Sequence, residues 1–369
     1  MLTALTRATV FTGAEIIAGK AVLIENDRIG PLVDIDEIPE GAKIIDCDNN
    51  YIAPGLIDLQ IAGGGGYLFS SNPTPAALRA ITDSIVKSGT TGFLIVIPTN
   101  SFDVYREVIR IVKSNPHPAI LGLHLEGPYI NPVRRGAHMK EYIKRPQKSD
   151  IATLLAEAAG VVKMITVAPE VCDPEFIRFL KDEGVVVAAG HSNATFNEAV
   201  RGFEWGIQTT THLFNAMSPL HHRDPGLPGA TVETKNVCAS IIADGIHVDY
   251  NTISIAKKLM KQRLYLISDA VEENIDGTYL HIRQKDRFTL PDGTLSGSLL
   301  TMLKAVQNCV EHVGIPLDEA LRMASSYPAR LINAFETGQI APGFKANLIA
   351  FDKDFEIKLI CLNGDFNPC

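Results

Sequence analysis

The 369-residue chain has a single tryptophan and only six cysteines, Cys47, Cys172, Cys238, Cys309, Cys361 and Cys369, none of them in a Cys-x-x-Cys pair. That scatter excludes a zinc knuckle and a disulfide framework, and it fits a reducing compartment. No apolar run reaches the ~18 residues that a membrane span requires. The stretch from Met1 to Val10 carries Arg7 but lacks the unbroken apolar segment of an export signal, so the chain reads as unexported and cytoplasmic, with no membrane partner. A basic surplus is missing too: the net charge is −8. DNA and other polyanions need a concentrated basic surface, so nucleic acid is disfavoured as the main partner. A small anion in a local pocket remains compatible, and Arg134-Arg135 is open to a solvated or a functional reading. The glycine run Gly63 to Gly66 lacks the phosphate-loop spacing and a following Lys-Ser/Thr, which leaves a barrel turn as its better explanation.

What is present is an ordinary globular composition, 46% hydrophobic and 21% charged, which argues against disorder and low complexity. The first ~50 residues read as short strands broken by turns: Ala21 to Glu25 is apolar, Asn26-Asp27 is a turn signal and Ile44-Ile45 is another apolar pair. Asn347 to Phe351 and Ile357 to Cys361 repeat the pattern at the other end. Both ends are therefore expected to share one small β domain, residues 1–52 with 340–369, around a catalytic unit at 53–339.

Within that unit eight apolar, β-branched runs recur: Gly55 to Gln60, Gly92 to Pro98, Ile120 to Glu126, Val162 to Ala168, Val185 to His191, Thr209 to Phe214, Val237 to Asp244 and Leu264 to Asp269. Pro75 to Ser88, Asp103 to Lys113 and Asn197 to Trp205 supply helices between them. Buried strands alternating with helices imply a parallel sheet, and eight such units point to an α/β fold of the closed (β/α)8 TIM-barrel type with a small β-sandwich appendage. Catalytic groups then belong at the carboxyl ends of the strands. Glu126 closes the third run, His191 the fifth and Asp269 the eighth, while His212 lies in the sixth and His247 follows the seventh. One carboxylate and two imidazoles at a barrel mouth suit a divalent cation with an open position for water, zinc first and iron second. His117, His281 and His312 lack that placement and are read as structural; His221 and His222 occupy a loop where substrate contact is open.

These residues carry a resemblance. Ala53-Pro-Gly-Leu-Ile-Asp58, His124-Leu-Glu-Gly-Pro128, Gly136-Ala-His138, Gly190-His-Ser192, Thr211-His-Leu-Phe-Asn-Ala-Met217, Ala243-Asp-Gly-Ile-His247, Ser268-Asp-Ala270 and Leu295-Ser-Gly-Ser298 together resemble the N-acetylglucosamine-6-phosphate deacetylases of the amidohydrolase superfamily, over nearly the whole chain. The resemblance implies hydrolysis of the acetamido group of N-acetylglucosamine 6-phosphate in amino-sugar catabolism. It implies metal ligation by Glu126, His191 and His212, acid/base catalysis by Asp269 and carbonyl polarisation by His247. Substrate contacts are implied for Gly127, His138, Asn215, Ala216, His247 and Arg223, with Arg223 of the Arg-x-Pro-Gly segment able to reach a neighbouring subunit's phosphate, and hence a homodimer.

One departure from the wider superfamily bears on the metal count. Many members carry His-x-His after the first strand for a second metal, and here Gln60 and Ala62 stand at those positions, so one cation per subunit is expected. Three other functions compete. A cyclic amidohydrolase such as a dihydroorotase needs that His-x-His and a fourth-strand lysine, where this chain has Val167-Ala-Pro-Glu170 with Lys163 near the strand start. Deacetylation of the N-acetylgalactosamine 6-phosphate epimer stays open. A catalytically dead scaffold is opposed by the joint presence of Glu126, His191, His212, His247 and Asp269. Closure of the loop Asn131 to Arg145 over substrate is not legible.

Overall fold

A computed structural model of the chain describes residues 2–368; Met1 and Cys369, the sixth cysteine, lie outside it. Its centre is one eight-stranded parallel sheet whose neighbours follow chain order. The strands are β1 (Leu56–Ile61), β2 (Thr90–Pro98), β3 (Ile120–Glu126), β4 (Val162–Val167), β5 (Val186–Ala189), β6 (Thr209–Thr210), β7 (Cys238–Ile242) and β8 (Leu264–Ile267). The sheet closes on itself. Ile61 at the end of β1 bridges in parallel to Ala270 just past β8, and the Ala62 N–H donates to the Ala270 carbonyl at 2.8 Å. Inside the seam, Asp58 accepts from the backbone N–H and the hydroxyl of Ser268.

Each strand is followed by a helix: α1 (Pro75–Lys87), α2 (Phe102–Ser114), α3 (Lys148–Ala158), α4 (Pro174–Asp182), α5 (Phe196–Trp205), α6 (Gly226–Glu233), α7 (Tyr250–Met260) and α8 (Met302–Asn308). The local sequence dictates several of their starts. Thr74 accepts from the Ala77 N–H ahead of Pro75, Ser101 from Val104 and Asp173 from Phe176, while Thr195 and Glu198 form a reciprocal capping box. All six residues of β1 are buried, as expected of a strand enclosed on both faces, and the apolar side chains of strands and helices form one continuous core.

Apart from two short hairpin pairs in the barrel loops, the remaining sheets come from the chain ends. One runs Arg28–Asp34, Lys20–Glu25, Leu2–Thr6, Lys43–Asp46. The other runs Asp365–Pro368, Ile357–Leu362, Leu348–Phe351, Tyr51–Pro54, Thr9–Phe11, Ile16–Ala18. Leu5, Val22 and Ile24 from the first pack with Val10, Ile52, Leu348 and Cys361 from the second. The barrel and the two-ended β unit are thus as expected from sequence, but several strands end early, among them three that lead into the site. The runs expected to reach His191, Phe214 and Asp269 stop at Ala189, Thr210 and Ile267. The reason is backbone: His191 (φ 46°), His212 (φ 35°) and Asp269 (φ 53°) all adopt left-handed conformations that a strand does not admit.

Candidate metal and active site

Those three left-handed residues all line one cavity at the barrel mouth. A non-glycine side chain held at positive φ costs on the order of 1–3 kcal/mol and persists where the surroundings over-determine it. Here the turn after each strand swings the side chain inward over the barrel mouth. The His191 Nε2 lies 3.3 Å and the His212 Nε2 3.1 Å from Oε1 of Glu126, the last residue of β3, and the two imidazole nitrogens are 3.1 Å apart. All three side chains are buried.

This set fits a cation. The His191 Nδ1 is 3.0 Å from the Arg134 carbonyl, which can only accept, so the proton sits on Nδ1 and Nε2 presents a lone pair. That lone pair faces a carboxylate oxygen and a second imidazole nitrogen, an assembly of electron-rich atoms that a positive centre would hold together. Glu126, His191 and His212 offer ligand atoms within 4.8 Å of one another, a two-nitrogen, one-oxygen set with room for further ligands. Burial alone would raise the Glu126 carboxyl, but the His138 N–H and the close imidazoles of His191 and His212 outweigh it and hold the group well below the usual carboxylate range. Burial, with the neighbouring His138 ring, pushes the His191 imidazole down to about 4, so it stays neutral, as a ligand must.

The second ring of residues is built around these. His138 Nδ1 accepts from the Thr99 N–H at 3.2 Å, which places its proton on Nε2, 3.4 Å from the other Glu126 oxygen. Gln60, at the end of β1, donates from Nε2 to Glu126 Oε1 at 3.0 Å and to Asp269 Oδ1 at 2.9 Å. Asp269 itself is raised above the usual carboxylate range, first by burial and then by the Glu126 charge. His247 Nδ1 lies 2.6 Å from Asp244, whose other oxygen accepts the backbone N–H groups of Ile246 and His247; those bonds outweigh burial and lower the Asp244 carboxyl. Glu170, just beyond β4, accepts from Asn131, Ser192 and the Asn193 N–H, so it ties the Arg134 loop to the turn that carries His191.

A cavity of about 370 Å³ opens over this cluster. Glu126, His191, His212, His247 and Asp269 line its floor, and His138, Asn215 and Ala216 its side. Gly127 and Arg223 are not among the lining residues. Gly127 (φ 95°) abuts the side chain of Thr99, where an added Cβ would lie 2.1 Å from Oγ1. Arg223 is exposed, in a turn with His221, His222 and Asp224 that borders a separate surface depression.

Sequence reasoning missed part of the wall. His281, read as structural, lines the cavity together with Tyr279 and Ser296. It is 5% exposed, its Nδ1 has no hydrogen-bond partner among the described residues, and burial lowers the ring to about 4. The Ser296 hydroxyl is likewise buried and unpaired. Both belong to the segment between β8 and α8, which carries only the short antiparallel pair Ile282–Arg283 and Phe288–Thr289; neither spacing nor strand-end position marks them out.

Residues 51–367 match the Amidohydrolase family, and residues 2–50 match the NagA composite domain. The chain is 32% identical to an N-acetylglucosamine-6-phosphate deacetylase of Haemophilus influenzae, over 98% of each protein. It is 31% identical to an N-acetylgalactosamine-6-phosphate deacetylase of a Shewanella species, over 85% of this chain and 82% of the relative. The crystal structure of an N-acetylglucosamine-6-phosphate deacetylase from Pasteurella multocida superposes with a TM-score of 0.96 at 33% identity, covering 100% of both chains.

Proposed function

Because the chain belongs to the N-acetylglucosamine-6-phosphate deacetylase family of the amidohydrolases, we propose that it hydrolyses N-acetylglucosamine 6-phosphate to glucosamine 6-phosphate and acetate. The observation that carries this reading is the buried Glu126, His191 and His212 cluster with Asp269 linked to it through Gln60. A carboxylate raised by burial, beside a cation site and inside a cavity, is what amide hydrolysis needs.

Glu126, His191 and His212 would hold one divalent cation per subunit; two imidazoles and a carboxylate favour zinc, with iron second. When bound, such a cation acidifies water and polarises a carbonyl. Asp269 accepts the proton of the attacking water and later returns it to the leaving amine, so the net consumption is one water per amide. His247 stabilises the negative charge that develops on the acetyl oxygen. The Asp244 carboxylate at Nδ1 holds that ring in place.

The sugar is placed against His138, Asn215 and Ala216, with the Gly127 backbone shaping the turn behind Glu126. Arg223 is assigned to the substrate phosphate of a neighbouring subunit in a homodimer, since it is exposed and outside this chain's own cavity. A guanidinium suits that role because its fork matches phosphate oxygens. The division into a β unit of 1–52 with 340–369 and a barrel of 53–339 is proposed on the same basis, and so is a cytoplasmic location; among the described residues no helix is long and apolar enough to cross a membrane. The test is primary-amine release from N-acetylglucosamine 6-phosphate by protein stripped with chelator and then reloaded with zinc. Activity that disappears and returns supports the proposal, and a reloaded protein that releases no amine refutes it.

A further inference from the structure

Asp269 and Glu126 present an unusual electrostatic problem. Glu126 is buried at the end of β3 and Asp269 is half-buried just past β8, and Asp269 is not among the three residues that converge as a cation site. What joins them is the amide of Gln60, itself 1% exposed. Its nitrogen lies 3.0 Å from Glu126 Oε1 and 2.9 Å from Asp269 Oδ1. Ionised carboxylates only accept, so the NH2 group, not the carbonyl, must face them, and its two protons are both committed. Hydrogen bonds to charged acceptors are the strong kind. The other Asp269 oxygen, Oδ2, takes no side-chain hydrogen bond among the described residues and is left for the reacting water.

Gln60 is itself rigidly held. Its backbone N–H donates to Asp58 at 3.1 Å, and the same Asp58 carboxylate takes the N–H and hydroxyl of Ser268, the residue before Asp269. Asp269 is therefore located twice, by Asp58 through the adjoining Ser268 and by Gln60 through its own carboxylate.

We infer that Gln60 is a positioning residue for the hydrolysis: its amide spans Glu126 and Asp269, does the charge compensation that a second cation would otherwise do, and fixes Asp269 with one oxygen free for water. The kinetic part rests on the deacetylase reading; the part concerning cation number does not. Gln60 touches neither substrate nor the acetyl group in this scheme, so its loss should act on turnover and not on substrate binding.

Two variants test this. Gln60→Met keeps side-chain length and removes both donors. It is expected to retain one cation and to keep KM within about twofold, while kcat falls by about 10- to 100-fold, the scale of hydrogen bonds to charged groups. Gln60→Glu puts a third carboxylate beside the other two and is expected to bind two divalent cations per chain where the unmodified protein binds one, read by equilibrium dialysis against zinc with elemental analysis. Gln60→Met with kcat within twofold of the parent, or with its loss appearing as KM, overturns the inference. So does Gln60→Glu staying at one cation. The dialysis is read without substrate, so an inactive parent chain would sink the deacetylase proposal while leaving this arm decided on its own.

Discussion

Replacing Asp269 by asparagine separates catalysis from stability in opposite directions. The carboxylate is raised by burial and by the Glu126 charge, and both oxygens that face the Gln60 nitrogen lie at about 3 Å from it, so the two carboxylates are within ~6 Å. At an effective dielectric near 20, that repulsion is about 3 kcal/mol. Asparagine is neutral and can still offer an oxygen to Gln60, so the repulsion is relieved and the fit is kept. For a chain of this length a relief of that size raises Tm by at most about 4 °C. Catalysis suffers instead, because an amide cannot accept the water proton or return it to the amine; loss of a general acid/base costs about 10²- to 10⁴-fold. The assays are amine release by zinc-loaded protein and a thermal melt of metal-free protein near pH 7. A variant with turnover within tenfold of the parent, or with a lowered metal-free Tm, would refute the role and the electrostatics given to Asp269.

Glu126→Gln removes the only carboxylate of the cation site and should weaken zinc binding by at least about 100-fold in calorimetry; unchanged affinity would show that the cation sits elsewhere. Arg223→Ala should raise KM for the phosphorylated substrate by about 10- to 100-fold with little change in kcat, and an unchanged KM removes it from the phosphate. His281→Phe takes away a buried, unpartnered nitrogen in the cavity wall and should raise KM more than it lowers kcat, whereas identical kinetics would make that histidine structural after all. Acid should destabilise the fold: burial lowers His124 and His281 to about 4, so between about pH 6.5 and 4 the unfolded chain binds protons the native one refuses. Stability is full above 6.5 and falls with pH through that window by up to about 3 kcal/mol per ring, and a urea midpoint that stays flat from pH 7 to 4.5 would contradict it.

The barrel was legible because its strands are buried on both faces, which forces near-continuous apolar runs such as Gly92 to Pro98, and because stretches such as Asn197 to Trp205 read as helices between them. The strand-end rule then located Glu126, His191, His212 and Asp269. What the pattern could not show was that three of these four leave the strand in left-handed turns, since positive φ at His or Asp has no sequence signature comparable to glycine. Gln60 was read only as a poor ligand, because its donors meet Glu126 and Asp269, which lie 66 and 209 residues away. His281 was missed for a similar reason: the segment after β8 folds over the cavity with almost no periodic structure, so its contribution to the wall exists only in three dimensions.

The most direct single measurement is kcat/KM of the zinc-loaded protein for N-acetylglucosamine 6-phosphate, its galactosamine epimer and unphosphorylated N-acetylglucosamine, followed as amine release. Deacetylation at this site, with an arginine grip on the phosphate, predicts efficient turnover of the first, weaker turnover of the second and a loss of orders of magnitude for the third. Preference for the epimer would reassign the sugar, and no turnover of any of the three by protein with its cation bound would contradict deacetylation itself.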